Sequence, residues 1–235
     1  MMNKSNYKHL FFDLDRTLWD FDQSALQTFA LLYERHGLKA RGIPDLKTLF
    51  DTYNKHNDVL WDAYRNGDLK KEILRDLRFS NTLDSFGIKD QALTVTLSEE
   101  YLHYAPRTVH LFPDAVEVVK QLHPYFELHL ITNGFVEVQH IKIQSAGLEP
   151  FFDKVITSEA AGVKKPDPKI FEYALQQTGA DKKESLMIGD DLEVDILGAQ
   201  SFGMDQLYFN PEALPHNEKP TYEIRQLKEI VKLLL

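Results

Sequence analysis

The chain has 235 residues, 43% of them hydrophobic, and its 36 acids against 27 lysines and arginines give a formal charge of -9. That is enough apolar material for one large domain or one domain carrying an insertion, and the wrong charge balance for gripping a phosphate backbone, so no nucleic-acid polymer partner is expected. Without cysteine there is no disulfide, thiolate nucleophile or Cys-based zinc site. No run approaches the ~20 apolar residues that span a bilayer, and the polar opening NKSNYKH carries no secretory leader. The expectation is a soluble, cytoplasmic protein with no membrane partner, as a monomer or small homo-oligomer.

In chain order, LFFDLD (10–15) reads as a buried strand that ends in two acids. The interval from Asp20 to about Arg107 has no convincing strand and four helical periodicities, at 23–36, 45–60, 69–79 and 89–104. FELHLITN (126–133) reads as the second strand, followed by a helix at 135–146 that Gly147 ends. KVITSE (154–159) is the third, followed by 168–178 and Gly179. SLMIGD (185–190) is the fourth, followed by 192–202 and Gly203, and QLYF (206–209) is a fifth. Apolar runs alternating with helices that stop at glycine predict an α/β fold, a mostly parallel sheet covered on both faces. The tail carries Pro211, Pro215 and Pro220 and predicts loops with one more short strand or helix. The expected organisation is an α/β core from 1–17 and 108–235, interrupted by a helical insert at 18–107.

In such sheets, sites form at the carboxyl ends of the strands. Asp13 and Asp15, two apart on extended backbone, point to one side, and two uncompensated carboxylates there need a metal or a shared proton. The second strand ends in Thr132-Asn133-Gly134, a hydroxyl and an amide nest for phosphate oxygens, or an ordinary capped turn. Within GVKKPDP, Pro166 and Pro168 fix the backbone and aim Lys165 toward the strand ends, with Lys164 the alternative cation. The fourth strand ends in Gly189-Asp190-Asp191 followed by Asp195, hard oxygen donors suited to magnesium; helix capping accounts for Asp191 but not for Asp190. The nine histidines show no close metal-ligand spacing and read as structural or solvent-facing.

Taken together, these residues resemble the haloacid-dehalogenase-like phosphohydrolases. Asp13-Leu14-Asp15-Arg16-Thr17 is similar to their DxDxT motif, Thr132 to the second motif, Lys165 before proline to the third, and Gly189-Asp190-Asp191 with Asp195 to the fourth. The resemblance implies a three-layer Rossmann-like core with an inserted helical cap. It implies Asp13 as a nucleophile that forms an aspartyl-phosphate and Asp15 as general acid and base. Thr132, Asn133 and Lys165 would hold the phosphate. Mg2+ would be bound by Asp13, the Asp15 carbonyl and Asp190, with Asp191 and Asp195 supporting from behind. An acid at position 15 disfavours carbon–halogen cleavage. Phosphonate hydrolysis in the family needs a cap lysine, and none is convincing among Lys39, Lys47 and Lys55.

The substrate is expected to be a small phosphate ester. TLWDF, GVKKPDPKIFEYAL and GDDLEVDI look most like the pyrimidine 5'-nucleotidase branch, which acts on nucleoside monophosphates. Trp19, Phe21, Trp61 and Tyr64 could stack on a base, although aromatics at helical spacing also serve as core. Sugar-phosphate or phosphoglycolate hydrolysis, phosphotransfer or mutase chemistry, and a noncatalytic binding role are the alternatives.

Overall fold

The structure, a computed structural model, describes residues 6–235. It divides into two compact units. One runs through Phe21 and resumes from Val109 to Leu235; the other is Asp22–Thr108.

The first unit is built on six parallel strands, β1 (His9–Phe12), β2 (Glu127–Thr132), β3 (Lys154–Thr157), β4 (Ser185–Gly189), β5 (Asp205–Phe209) and β6 (Tyr222–Ile224), in the order β3-β2-β1-β4-β5-β6. All four residues of β1 are buried. Leu10 and Phe12 join Leu128, Leu130, Leu186 and Ile188 in one core, while Phe11 joins Ile131 and Met187 in the core on the opposite face. A parallel sheet with both faces covered needs this continuous apolar strand instead of a polar alternation.

Four helices are introduced here by their ranges: α1 (Phe21–Arg35), α2 (Leu46–Arg65), α3 (Lys71–Asp84) and α4 (Gln91–Tyr104). Apart from the first residue of α1, they make up the second unit. Asp45 and Asp90 cap α2 and α4, accepting from the Thr48 and Leu93 amides, which places both starts. The buried stripe Leu49, Tyr53, Asn57, Leu60, Tyr64 carries α2 beyond residue 60, where the sequence pattern had placed its end. Phe29, Tyr53, Phe79 and Tyr101 pack together inside this unit.

The remaining helices flank the sheet. They are α5 (Ala115–Leu122), α6 (Val136–Ser145), α7 (Ser158–Ala161), α8 (Pro168–Thr178), α9 (Gly198–Phe202) and α10 (Lys228–Leu234). Ala115, Val118 and Leu122 of α5 and Ile230 of α10 cover one face; Ile170 and Phe171 of α8 and Ala199 of α9 cover the other. The expected helix at 192–202 is a π-helical turn, Leu192–Leu197, before α9. The tail forms both a strand and a helix. Residues 18–21 group with the sheet because Leu18 and Trp19 lie in its core, at 0% exposure.

Candidate active site

The sheet register assembles the site. Phe12 pairs with Leu130 of β2 and Ile188 of β4, and the Asp13 amide donates to the Ile188 carbonyl at 2.8 Å. Asp13 therefore leaves the sheet between the ends of β2 and β4, where strand order reverses direction. The strand stops at Phe12, short of Asp15. Residues 14–19 close a tight loop, with the Leu18 and Trp19 amides on the Leu14 carbonyl and Arg16 in the left-handed region at φ 64°.

Lys165 is the centre of the charged cluster. It is 2% exposed, and its Nζ donates to Asp13 Oδ1 at 2.6 Å, Asp195 Oδ1 at 2.6 Å and the Ile131 carbonyl at 2.8 Å. All three ammonium hydrogens are thus used. Burial opposes its charge, but Asp13 and Asp195 more than reverse that and hold it protonated. Of the two lysines in KKP, Lys165 is the one turned inward. Asn133 puts it there: its amide nitrogen donates to the Lys165 carbonyl at 3.0 Å, and its Oδ1 accepts the Lys165 amide at 2.8 Å.

Asp195 accepts from Lys165 through one oxygen and from the Asp191 amide, at 3.2 Å, through the other. A Cβ at position 189 would lie 2.2 Å from Asp195 Oδ2, so only glycine lets the carboxylate in. Asp191 caps the following turn, accepting from the Glu193 and Val194 amides. Asp190 accepts from the Thr17 hydroxyl at 2.9 Å. Thr17, buried at 0%, is thereby a site residue to which the sequence pattern attached no role.

Asp13, Asp190 and Asp195 offer carboxylate oxygens within 4.8 Å of one another, against the single ammonium of Lys165. Burial raises the Asp13 carboxyl well above its ordinary range; Lys165 opposes the shift, while Asp195 and Asp190 add to it. Burial, then Asp195, pushes Asp190 up to about 8. A cation is what such a cluster lacks, and all-oxygen donors fit a hard divalent ion such as magnesium.

Asp15 has separate partners. Gln139 Nε2 donates to its Oδ2 at 2.8 Å, and Lys142 Nζ pairs with its Oδ1. Both come from α6, three residues apart on one face. Lys142 is only 4% exposed and lies 5.4 Å from the ring centres of Trp19 and Phe21. Gln139 also donates to Thr132 Oγ1 at 2.7 Å, and the Gly134 amide donates there at 3.0 Å. With two bonds accepted, the Thr132 hydroxyl has its own hydrogen left to give. The sequence reading missed Gln139 and Lys142; the available signal was a polar pair on the inward stripe of a helix.

The aromatic candidates separate. Trp19 is core, with no exposed ring face, and Tyr64 is 6% exposed. Phe21 is partly buried against the sheet core, and Trp61 is half-buried and meets Tyr64 edge to face at 5.4 Å. The histidines include one cluster that linear spacing concealed. Strand register sets His9 opposite Glu127, and His9 Nδ1 lies 3.2 Å from His129 Nε2 and 3.5 Å from Glu127. One proton shared between the two rings satisfies this pair, which sits at the opposite end of the sheet from Asp13. Burial, with His9 adding to it, lowers His129 to about 4.

The sequence matches the haloacid dehalogenase-like hydrolase family over residues 7–203. The chain belongs to that family. It is 33% identical over 233 residues to the pyrimidine 5'-nucleotidase PynA of Streptococcus pneumoniae, covering 97% of this chain and 95% of the relative. It is 31% identical over 229 residues to the pyrimidine 5'-nucleotidase YjjG of Escherichia coli, covering 96% of each. The crystal structure of the Bacillus subtilis HAD-hydrolase YfnB bound to magnesium superposes with a TM-score of 0.86 at 29% identity, covering 97% of this chain and 99% of that one; interdomain movement was observed in that protein. No helix among the described residues is long and apolar enough to cross a membrane.

Proposed function

We propose that the chain is a magnesium-dependent phosphomonoester hydrolase working through an aspartyl-phosphate on Asp13, with nucleoside 5'-monophosphates as its substrates. The observation that carries this reading is the division of partners between the two acids. Asp13 is locked on Lys165, whereas Asp15 is held by Lys142 and Gln139. A two-step hydrolysis needs two neighbouring acids with different duties.

In the first step an Asp13 oxygen attacks phosphorus as the bond to the ester oxygen breaks, and Asp15 gives its proton to that oxygen, so the alcohol leaves neutral. In the second, Asp15, now a carboxylate, takes a proton from the attacking water. Phosphate departs, and the Asp13 carboxylate and Asp15 acid are restored. Lys142 stabilises the charge that Asp15 acquires between the two steps. Thr132 and Lys165 donate to the non-bridging oxygens, Asn133 fixes the Lys165 loop, and Asp195 aims the ammonium. Magnesium, when bound, would neutralise charge between nucleophile and phosphate; Asp13, the Asp15 carbonyl and Asp190 are the groups to hold it, with Asp191 and Asp195 behind them.

The nucleotide assignment is supported by the similarity to PynA and YjjG across nearly the whole chain. The test is inorganic phosphate release, with and without magnesium, from pyrimidine and purine monophosphates, sugar phosphates and phosphoglycolate, with Asp13→Asn as blank. Magnesium-dependent release that favours pyrimidine monophosphates is expected. Preference for another ester would overturn the substrate assignment, and full activity in Asp13→Asn would overturn the nucleophile.

A further inference from the structure

The helical unit contains a buried cation that the chemistry above does not use. Arg78 on α3 is 4% exposed, with its guanidinium carbon 4.8 Å from the centre of the Tyr101 ring and 5.6 Å from that of Phe79. Burial pushes the neighbouring Tyr53 phenol up, and Arg78 acts against that rise. Arg78 Nε and Nη2 have no hydrogen-bond partner among the described residues. Those two nitrogens form one edge of the planar guanidinium, the fork that grips two acceptors lying side by side. Asn57, one turn beyond Tyr53 on α2, is 3% exposed, and its Oδ1 also lacks a donor among the described residues. Helices α2 and α3 pack on each other, so an open two-donor fork and an open acceptor belong to one helical interface beside four packed aromatic rings.

Buried polar groups left in this condition are costly, and they persist where something else completes them. Spaces between the helices of a bundle are common sites for such ligands. A salt bridge or backbone capping would already have used these atoms.

We infer that Arg78 and Asn57 recognise the organic part of the phosphate ester, through a planar group that presents two adjacent acceptors. A cytosine ring does so with its carbonyl oxygen and neighbouring ring nitrogen, and its amino N–H supplies the donor that Asn57 Oδ1 lacks. A carboxylate offers the two acceptors but not the donor. The inference rests on the phosphatase reading and names the feature of the substrate that sets its preference.

The experiment measures kcat/KM for cytidine 5'-monophosphate, phosphoglycolate and ribose 5-phosphate, together with thermal unfolding, in full-length wild type, Arg78→Met and Arg78→Lys. Wild type is expected to prefer the cytidine ester over ribose 5-phosphate. That ratio should fall by about 10–100-fold in Arg78→Met, the loss of one bidentate contact. Arg78→Lys keeps the charge but not the fork and should lose most of the preference as well. The melting temperature of Arg78→Met should hold or rise, because an apolar chain replaces an unpartnered buried charge. A structural arginine predicts the opposite pattern, a lower melting temperature with an unchanged ratio, and that result overturns the inference. So does an unchanged ratio with unchanged stability, which assigns the fork to ordered water. A wild type that prefers phosphoglycolate, with that preference lost in Arg78→Met, keeps the fork and replaces the base by a carboxylate. Release from ribose 5-phosphate by wild type tests the phosphatase reading by itself; inactivity on every ester refutes that reading and this inference together.

Discussion

Asp190 makes the stability of the metal-free protein depend on pH in a direction opposite to that of an ordinary salt-bridged carboxylate. Its folded-state pKa is pushed up to about 8 by burial and by Asp195, while in the unfolded chain an aspartate titrates near 3.9. Between those values the folded state holds one more proton than the unfolded state. The contribution is complete below the unfolded pKa and is lost as the pH rises toward 8. Each pH unit in that window removes about 1.4 kcal/mol. From about pH 5.5 to about pH 7.5 the loss is roughly 2.7 kcal/mol, or on the order of 5–11 °C in melting temperature for a protein of this size. Asp13 and Asp195 are raised too, so the wild-type slope exceeds this one-proton value. The assay is thermal unfolding in a chelator across that range, comparing wild type with Asp190→Asn, which keeps an acceptor for the Thr17 hydroxyl. The variant should be less steep by about 1.4 kcal/mol per unit, and magnesium should restore the wild type at the upper end. Equal slopes in the two proteins would refute the electrostatic reasoning.

Three further outcomes are expected. Gly134→Ala would bring a Cβ to 2.0 Å from Gln139 Nε2, displacing the amide from both Asp15 and Thr132; we expect a loss of about 1–3 kcal/mol in denaturant unfolding and a fall in kcat larger than any rise in KM. Lys142→Met removes the cation that balances Asp15, so first-turnover release should slow more for an alkyl phosphate than for an aryl phosphate whose leaving group needs no proton; equal slowing would mean Lys142 is only packing. Trp61→Ala, read by substrate preference and unfolding together, tests the aromatic face in the helical unit: changed preference supports substrate contact, and lost stability alone assigns the ring to the core.

Much of the core was legible because it depends on local pattern. Runs such as SLMIGD and FELHLITN are apolar throughout because a parallel strand is buried on both faces, and Gly147, Gly179 and Gly203 adopt the positive φ that ends a helix. The order of acid, hydroxyl, lysine and acid follows from the rule that crossover units return each strand in the same direction, which puts every strand end on one side. Partners chosen across the fold were not legible. Gln139 and Lys142 meet Asp15 from 124 and 127 positions away, and His9 meets His129 from 120. Such pairs depend on strand register and on the face a helix turns inward, and both are set by packing the whole sheet. The same holds for Trp19, whose polar-flanked position in TLWDF suits a binding surface and whose side chain nonetheless fills the core. Arg78 sits in a helix that the periodicity predicted in outline, but only the packing of four helices buries its guanidinium and leaves the fork open. The sequence by itself determined which chemical groups stand at the strand ends and in what order. Tertiary packing decided which charges share a volume, because burial and proximity, not chain position, give a carboxylate or a guanidinium its energy.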